Sequence, residues 1–188
     1  LENSGYEVEW DDMEKKVLAS ELALAMGVMC NAIAVSLMIK SELGVSTISS
    51  VPVVLNEMFA HVTIGSWNFL FQVALVVVMA LITRKFLGYV FSVALALLFG
   101  YLLDFFELLF SDIVANIPLR IIFFFTGFFM LSVGISLMLN CRLPALPFDL
   151  CVREMAEHFG LTVKQMKTGF DVVCVGLSVV FSLLFLEG

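Results

Sequence analysis

Two apolar stretches decide the fold of this chain: VLASELALAMGVMCNAIAVSLMI at Val17–Ile39 and LRIIFFFTGFFMLSVGISLML at Leu119–Leu139. A membrane-spanning helix needs about 20 predominantly apolar residues to cross a hydrocarbon layer about 30 Å thick. Both stretches meet this length. Each therefore predicts a helix that crosses a lipid bilayer.

The composition of the whole chain agrees with this interpretation. Of its 188 residues, 61% are hydrophobic and 14% are charged, and the mean hydropathy is +1.05. A soluble domain is about half apolar and about a quarter charged, and a globule of this size leaves much of its surface in contact with solvent. We therefore expect the solvent to be the lipid bilayer, which excludes a water-soluble globular protein.

The net charge of −7 does not describe an acidic surface. Six acidic side chains fall within the first 14 residues, namely Glu2, Glu7, Glu9, Asp11, Asp12 and Glu14. We therefore predict an acidic, solvated N-terminal tail at residues 1–16, outside the membrane domain. No run of basic residues is present, so no nucleic-acid partner is expected.

The length criterion selects five spans and two shorter helices. The predicted spans are Val17–Ile39, Trp67–Thr83, Phe86–Phe110, Leu119–Leu139 and Met166–Leu186. Ile48–Ala60 and Phe148–Phe159 are too short to cross, which is typical of re-entrant or interfacial helices. The predicted fold class is therefore all-α: a polytopic membrane helix bundle of about five spanning helices plus two short re-entrant or interfacial helices.

The basic residues indicate how this bundle is oriented. If the N-terminus is cytoplasmic, eight of the ten basic residues fall on the cytoplasmic side, and only Lys40 and Arg120 fall outside. Cytoplasmic loops of membrane proteins carry an excess of Lys and Arg. We therefore predict a cytoplasmic N-terminus.

An internal repeat relates the two halves of the chain. Residues 27–38 align with residues 127–138 at an offset of 100, sharing a first Gly and a final Ser-Leu-Met, and Phe71-Gln72-Val73 aligns with Phe170-Asp171-Val172 at an offset of 99. The first copy, residues 17–110, consists of a span, a short helix and two further spans. The second copy, residues 119–188, lacks the third span, so we expect a sixth span after Gly188 in the native gene, or another chain in its place.

The number of crossings in one copy predicts the relation between the copies. Three crossings are an odd number, so the second copy enters the membrane from the opposite side. This predicts an inverted-topology repeat, an architecture found in many transporters, with the binding site near the pseudo-two-fold axis. The alternative is chance similarity between two apolar helices.

Four shorter segments resemble a known family. They are LPFDLCVRE at Leu146–Glu154, Lys164 through Asp171, GVSTISS at Gly44–Ser50 and FGYLLD at Phe99–Asp104. Over roughly residues 17–186 the chain resembles the YczE/YitT-type bacterial membrane proteins. The resemblance implies a bacterial inner-membrane protein with six helices in full-length members, the last after a Gly-rich step that this sequence lacks. It implies no substrate.

Polar side chains inside spans are candidate site residues because they are costly in lipid. Asp171 lies inside the fifth predicted span and aligns with Gln72, so the two could bind a cation or carry a proton. The alternative is a helix-start carboxylate neutralised by Lys164 or Lys167. Asn31 lies deeper, where an amide either contributes to a site or bonds to a neighbouring helix.

Two acidic residues lie toward the outer end of the third predicted span. Asp104 and Glu107 are three residues apart and share one helix face. They are candidates for a vestibule that attracts cations. The alternative is that both side chains snorkel to water.

The polar segment Ser46-Thr47-Ile48-Ser49-Ser50 precedes the first short helix. The N-terminus of a helix presents unpaired N–H groups and partial positive charge, so Ser46 and Thr47 are candidates for binding an anion or a carboxylate. The alternative is plain hydroxyl capping by Ser46 or Ser49. Asp149 is expected to cap the second short helix.

Metal, cofactor and catalytic sites are not expected. Glu57 with His61, and Glu154 with His158, are spaced i, i+4, but two ligands do not make a metal site. The four cysteines lack zinc spacing, and we expect free thiols at Cys30, Cys141, Cys151 and Cys174. No nucleophile elbow, zinc-protease motif or phosphate-binding loop occurs, so we expect no enzyme activity.

The sequence favours two functions of different kinds. The first is a small transporter or channel for a small solute or ion, with inverted halves around a central polar site. The second is a membrane scaffold or regulatory subunit that binds another membrane protein, or a second copy of the chain, through small-residue faces. These faces would carry Gly27, Gly100, Gly127 and Gly134. A hydrated central cavity would favour the first function, and a dry centre filled with Phe would favour the second.

Overall fold

A computed structural model describes the backbone of residues 4–59, 61–83, 89–114, 116–140 and 146–185, and their side chains from Glu21 onward except at 139 and 140. This part of the chain is helical and contains no strand. Its helices are α1 (Ser4–Ser41), α2 (Thr47–Met58), α3 (Ile64–Thr83), α4 (Val90–Phe110), α5 (Ile117–Asn140), α6 (Pro147–Phe159) and α7 (Val163–Phe185).

Five of these helices are long and apolar enough to cross a membrane. They are the Glu21–Ser41 part of α1, all of α3 and α4, the Ile117–Met138 part of α5, and α7. The prediction of a polytopic helical membrane bundle with two additional short helices is confirmed. The chain is therefore a multi-pass membrane protein.

The acidic N-terminal segment, which the sequence predicts to be a solvated tail, is helical from Ser4 onward. Helix α1 begins at Ser4 and continues without a break into the first span. Residues 6–20 contain no Gly or Pro, and Glu, Lys, Leu and Ala favour the helical state. The first span is thus the second part of a 38-residue helix.

The two short helices begin in different ways. Ser46 caps α2, its hydroxyl accepting a hydrogen bond from the backbone N–H of Ser49 at 3.4 Å, which confirms the prediction of a hydroxyl cap. The prediction that Asp149 caps α6 is wrong, because Leu146 is the capping residue and Asp149 lies inside the first turn. Pro147 at the start of α6 supplies the helical φ without needing a hydrogen-bond acceptor for an N–H.

Helices α1 and α5 form the central pair and run antiparallel. A Cβ atom added to Gly27 would lie 2.6 Å from Met138 Cγ, and one added to Gly127 would lie 2.9 Å from Met38 Cγ. Near the middle of the crossing, a Cβ on Gly134 would collide with Asn31 Oδ1. Only glycine allows the two backbones to approach this closely.

Polar contacts define the two ends of the bundle. We call the side at which the α1 span begins the first face, and the side at which it ends the second face. On the second face, Lys40 donates to the carbonyl of Ser111 at 2.9 Å, Glu42 pairs with Arg120, and Asp104 accepts from the N–H of Gly65 at 2.7 Å. These contacts bring together the ends of α1 and α4 and the starts of α3 and α5.

On the first face, Tyr89 joins three helices. Its hydroxyl donates to Glu154 Oε2 of α6 at 2.7 Å and lies 2.7 Å from Thr83 Oγ1 at the end of α3. The pKa of Tyr89 is raised, chiefly by burial and further by Glu154. The hydroxyl therefore stays protonated and remains a donor to the carboxylate.

Candidate functional site

Each short helix starts well inside the bundle. Thr47, the first residue of α2, donates from Oγ1 to Asp171 Oδ1 at 2.7 Å, and Ser178 further along α7 donates to Ser50 at 2.8 Å. Asp171 is the ninth residue of α7, which places it about 12 Å from the start of that helix at 1.5 Å per residue. Helix α2 therefore runs alongside α7 in the same direction, from the middle of the bundle toward the second face.

Helix α6 follows the corresponding course on the other side. Its first turn, at Phe148, lines the same cavity as Asn68 and Gln72 of α3, and its next turn, at Cys151, packs with Val76 and Met79 further along α3. Helix α6 therefore runs with α3 from the middle of the bundle toward the first face. The N-termini of the two short helices meet near the centre.

A cavity of about 80 Å³ lies where these N-termini meet. Its polar lining consists of Asn31, Ser49, Asn68, Gln72, Asp149 and Lys167. Aliphatic and phenyl side chains, such as those of Val35 and Phe99, form the remaining walls. One water needs about 10–15 Å³ of such space, so the cavity has room for roughly five to eight waters or a small solute.

The lining has an internal order that matches the sequence repeat. Ten of the thirteen described lining residues form five pairs, four at an offset of 100 and one at 99: Asn31 with Leu131, Val35 with Ile135, Ile48 with Phe148, Ser49 with Asp149, and Asn68 with Lys167. The cavity is thus lined by residues that the predicted repeat aligns with each other.

Two amide oxygens in this cavity have no hydrogen-bond partner. Asn31 donates from Nδ2 to Met138 Sδ at 3.1 Å, and Gln72 donates from Nε2 to Asn68 Oδ1 at 2.7 Å. Asn31 Oδ1 and Gln72 Oε1 remain unpartnered, although these residues are only 6% and 4% exposed. A buried acceptor left unsatisfied costs about 1–3 kcal/mol, so each of these two oxygens would be stabilised by a hydrogen-bond donor.

The unpartnered state of Gln72 has a local cause. Its equivalent in the second half, Asp171, accepts the hydroxyl hydrogen of Thr47. The position equivalent to Thr47 at the offset of 100 is Pro147, which has no hydroxyl. Gln72 therefore lacks the donor that its counterpart has.

The cavity also carries one charge of each sign. Asp149 and Lys167 both line it and are both partly buried. Burial raises the pKa of Asp149, while the positive charges of Lys167 and then Arg153 act in the opposite direction. No ion pair within 4.0 Å joins Asp149 to Lys167 in the described part of the chain. The two charges together give the lining no net charge.

The sequence-predicted site residues are only partly brought together. Asn31 and Gln72 line the cavity, whereas Asp171 and Thr47 bond to each other beside it and Ser46 caps α2. Asp104 lies at the second face, where it accepts from Thr63 Oγ1 at 2.7 Å and from the N–H of Gly65. Glu107 is partly buried on the same helix, near Asp104 and Lys40.

Sequence reasoning did not select Asp149, Lys167 or Asn68 as ligand-binding residues, and it considered Ser49 only as part of the polar segment before α2. Lys167 entered only in the alternative that Lys164 or Lys167 neutralises Asp171, and Asp149 was expected to cap a helix. The signal that could have found them is the repeat itself. Ser49 and Asp149 are equivalent, and so are Asn68 and Lys167.

The remaining candidates do not form a further site. Glu57 and His61 are both exposed, and the described residues contain no group of three metal-ligating side chains. Cys30, Cys151 and Cys174 are free thiols, while Cys141 lies outside the described residues. Burial raises the pKa of Cys151 to about 11, so its thiol is protonated and unreactive at neutral pH.

The comparisons with known proteins identify a family without assigning a function. No match is found among the curated proteins or among the solved structures. A model of a family of unknown function, DUF6198, matches residues 18–188. The match gives no support to the YczE/YitT name, so that resemblance stays a prediction. Because the match covers all five spans, both short helices and the cavity, the chain belongs to the DUF6198 family.

Proposed function

We propose that the protein is a transporter or channel for a small solute, built from inverted halves around the central cavity. The observation that carries the proposal is the cavity itself. Two short helices begin there, and two of its lining side chains have buried amide oxygens without a hydrogen-bond donor. Transporters commonly bind their substrates near mid-membrane, at the interface between repeats and at the N-termini of broken helices. The position and chemistry of this cavity match that pattern.

The packing of the helices supports an inverted repeat. Under the offset of 100, the contact of Gly27 with Met138 exchanges with the contact of Gly127 with Met38. Helix α2 packs against α3 and α7, and its equivalent α6 packs against α7 and α3. The antiparallel course of α1 and α5 is what a two-fold axis in the membrane plane requires.

We place the protein in a bacterial inner membrane, with the first face toward the cytoplasm. The bacterial location rests on the resemblance to the YczE/YitT-type proteins. The orientation rests on the basic residues, since Arg153, Lys164 and Lys167 belong to the first-face side and positive charge favours the cytoplasm.

The scaffold alternative is less well supported. Three of the glycines that would form a partner face, Gly27, Gly127 and Gly134, are covered by the α1–α5 contact, and Gly100 is covered by Gly65 of α3. These small residues hold the chain's own helices together. They are therefore not free for another membrane protein.

The proposal is tested by blocking the cavity. Ile135 lines it, whereas Val133, two residues earlier on the same helix, is 38% exposed and does not. In proteoliposomes loaded with a panel of ions, neutral solutes and amino acids, Ile135→Trp is expected to lower the flux of the permeant solute by about tenfold or more, because a pore is controlled by the side chains that line it.

The matched control is Val133→Trp, which adds the same indole toward lipid and should leave the flux unchanged. Chromatographic behaviour and helical content of both variants confirm that they fold. If no panel solute moves faster than through protein-free liposomes, or if Ile135→Trp transports as well as wild type, the transport proposal is wrong.

A further inference from the structure

Four polar groups of residues that line the cavity lack a matching partner in the chain. Asn31 Oδ1 and Gln72 Oε1 are acceptors that lack donors. Asp149 and Lys167 are opposite charges that face the same space without pairing within 4.0 Å. A bound molecule that satisfied all four would have to donate several hydrogen bonds and carry both a positive and a negative group.

We propose that the cavity binds a small zwitterion with a primary ammonium and a carboxylate, which makes the smallest amino acids its ligand class. This inference rests on the proposed function and names the substrate of the same site. In the bound state the amides of Asn31 and Gln72, whose oxygens are fully buried in this structure, turn to accept from the ammonium, which faces the carboxylate of Asp149. Its three N–H donors fit this set of acceptors.

The carboxylate of the ligand is matched by Lys167 and by the start of α2. Ser49 lines the cavity and its Oγ accepts from Ser46 Oγ at 2.9 Å, so its own hydroxyl hydrogen can be donated to the ligand. Ile48, one residue earlier, places the first turn of α2 at the same wall. The N-terminus of a helix favours a carboxylate through its free N–H groups and partial positive charge.

Ligands with a single charge fit the lining less well. A cation would face Lys167, and an anion would face Asp149, in a partly buried space where an unmatched charge is costly. A neutral donor would satisfy the two amide oxygens but neither charged side chain. A zwitterion keeps the occupied site neutral and also offers a partner to each of the four groups.

The volume of the cavity further restricts which amino acids can be its ligands. Its volume of about 80 Å³ corresponds to roughly five to eight waters at 10–15 Å³ each. Glycine has five non-hydrogen atoms and alanine has six, so both are of the right size.

The test compares ligands on the unaltered protein. In purified protein at pH 7, glycine and alanine should raise the thermal unfolding midpoint, and the shift should keep growing with the logarithm of the ligand concentration above the dissociation constant. N,N,N-trimethylglycine keeps both charges but has no N–H donor, and should bind at least about tenfold more weakly. Acetate and methylammonium, each carrying one of the two groups, should be similarly weak.

Variants locate the binding groups. Gln72→Met removes the unpartnered oxygen at nearly constant size, and Lys167→Met removes the positive charge. Each should weaken glycine binding by about tenfold or more. The control is Lys164→Met, which removes an exposed lysine of the same helix that lies outside the cavity lining, and should bind glycine as wild type does.

The outcomes separate this inference from the transport proposal. Flux of another solute class with no glycine or alanine binding overturns the zwitterion and keeps the transporter. Saturable glycine binding without flux of any panel solute keeps the zwitterion site and overturns the transporter. Equal binding of glycine and its trimethyl derivative contradicts the role of the amide oxygens, whatever the variants do.

Discussion

At the scale of single residues, Asp171 has a structural partner that its sequence position did not reveal. It accepts from Thr47 Oγ1 at the first residue of α2, where the partial positive charge of the helix N-terminus stabilises a carboxylate. The sequence placed Asp171 among the candidates for ion coupling. Its contact with Thr47 favours a role in fixing the start of α2, and through α2 the position of Ser49 in the cavity.

A double-mutant cycle tests this role. We expect Thr47→Val to destabilise the protein by about 0.6 kcal/mol, the average for side-chain hydrogen bonds between membrane helices. Asp171→Leu should cost more, because it also removes the charge near the helix N-terminus, worth about 0.3–1 kcal/mol. The double variant should cost less than the sum. The measurement is equilibrium unfolding in mixed micelles.

A flux measurement on a third variant separates a role of Asp171 in anchoring α2 from a role in ion coupling. Asp171→Asn keeps an acceptor for Thr47 and removes only the charge, so flux through proteoliposomes should persist with unchanged ion dependence. Strictly additive energies for Thr47→Val and Asp171→Leu would contradict the anchoring role. Loss of flux in well-folded Asp171→Asn would restore the coupling hypothesis.

The limits of prediction at the residue scale have a physical cause. Asn31 and Gln72 could be selected from the sequence because polar groups inside spans are costly. Asp149 and Lys167 could not be selected by this rule, because whether a residue at a helix start faces water, headgroups or a cavity depends on how deeply the short helix enters. That depth is set by tertiary contacts such as Thr47 with Asp171.

At the scale of helices, the apolar runs determine the elements and the glycines determine how they pack. The five predicted spans all occur, since an apolar run of about 20 residues has few alternatives in lipid. Their packing is less visible in the sequence. Gly65 was not singled out, yet it meets Gly100 at the α3–α4 crossing, where an added Cβ would collide with the Gly100 carbonyl and with Asp104.

This crossing yields a prediction about stability. In Gly65→Ala, the new methyl group meets a backbone oxygen that cannot rotate away, so α3 and α4 must separate. We expect a loss of about 1–3 kcal/mol in the free energy of unfolding, as for overpacked cores. Thermal or denaturant unfolding in detergent measures it.

The matched control lies on α7. Gly176 is helical and has nothing within 4 Å of its added Cβ, so Gly176→Ala should stabilise the protein slightly, by about 0.5 kcal/mol through helix propensity. Equal effects of the two substitutions would mean that α3 and α4 do not cross at Gly65.

At the scale of the whole molecule, the residues that line the cavity agree with the proposed inverted-repeat architecture. Five residue pairs at offsets of 100 or 99 line one space, and the central helices exchange equivalent Gly–Met contacts. Chance similarity of apolar helices would give no reason for equivalent positions to meet in the same cavity. An inverted repeat predicts that the C-terminal ends of α2 and α6 lie on opposite sides of the membrane.

The last prediction therefore concerns the sidedness of α2 and α6. Glu57 and Glu157 are exposed residues near the C-terminal ends of these helices. In a background without native cysteines, Glu57→Cys should react with a membrane-impermeant maleimide in intact cells, because the second face is expected to be external. Glu157→Cys should react only after the cells are permeabilised, because the first face is expected to be cytoplasmic.

The pattern of labelling distinguishes the orientation from the inversion. If the two positions exchange their behaviour, the positive-inside assignment is wrong but the halves are still inverted. If both react in intact cells, or both only after permeabilisation, α2 and α6 leave the bundle on the same side. An inverted repeat cannot produce that result, because each copy contributes one short helix and the pseudo-two-fold axis in the membrane plane must carry one helix to the side opposite the other.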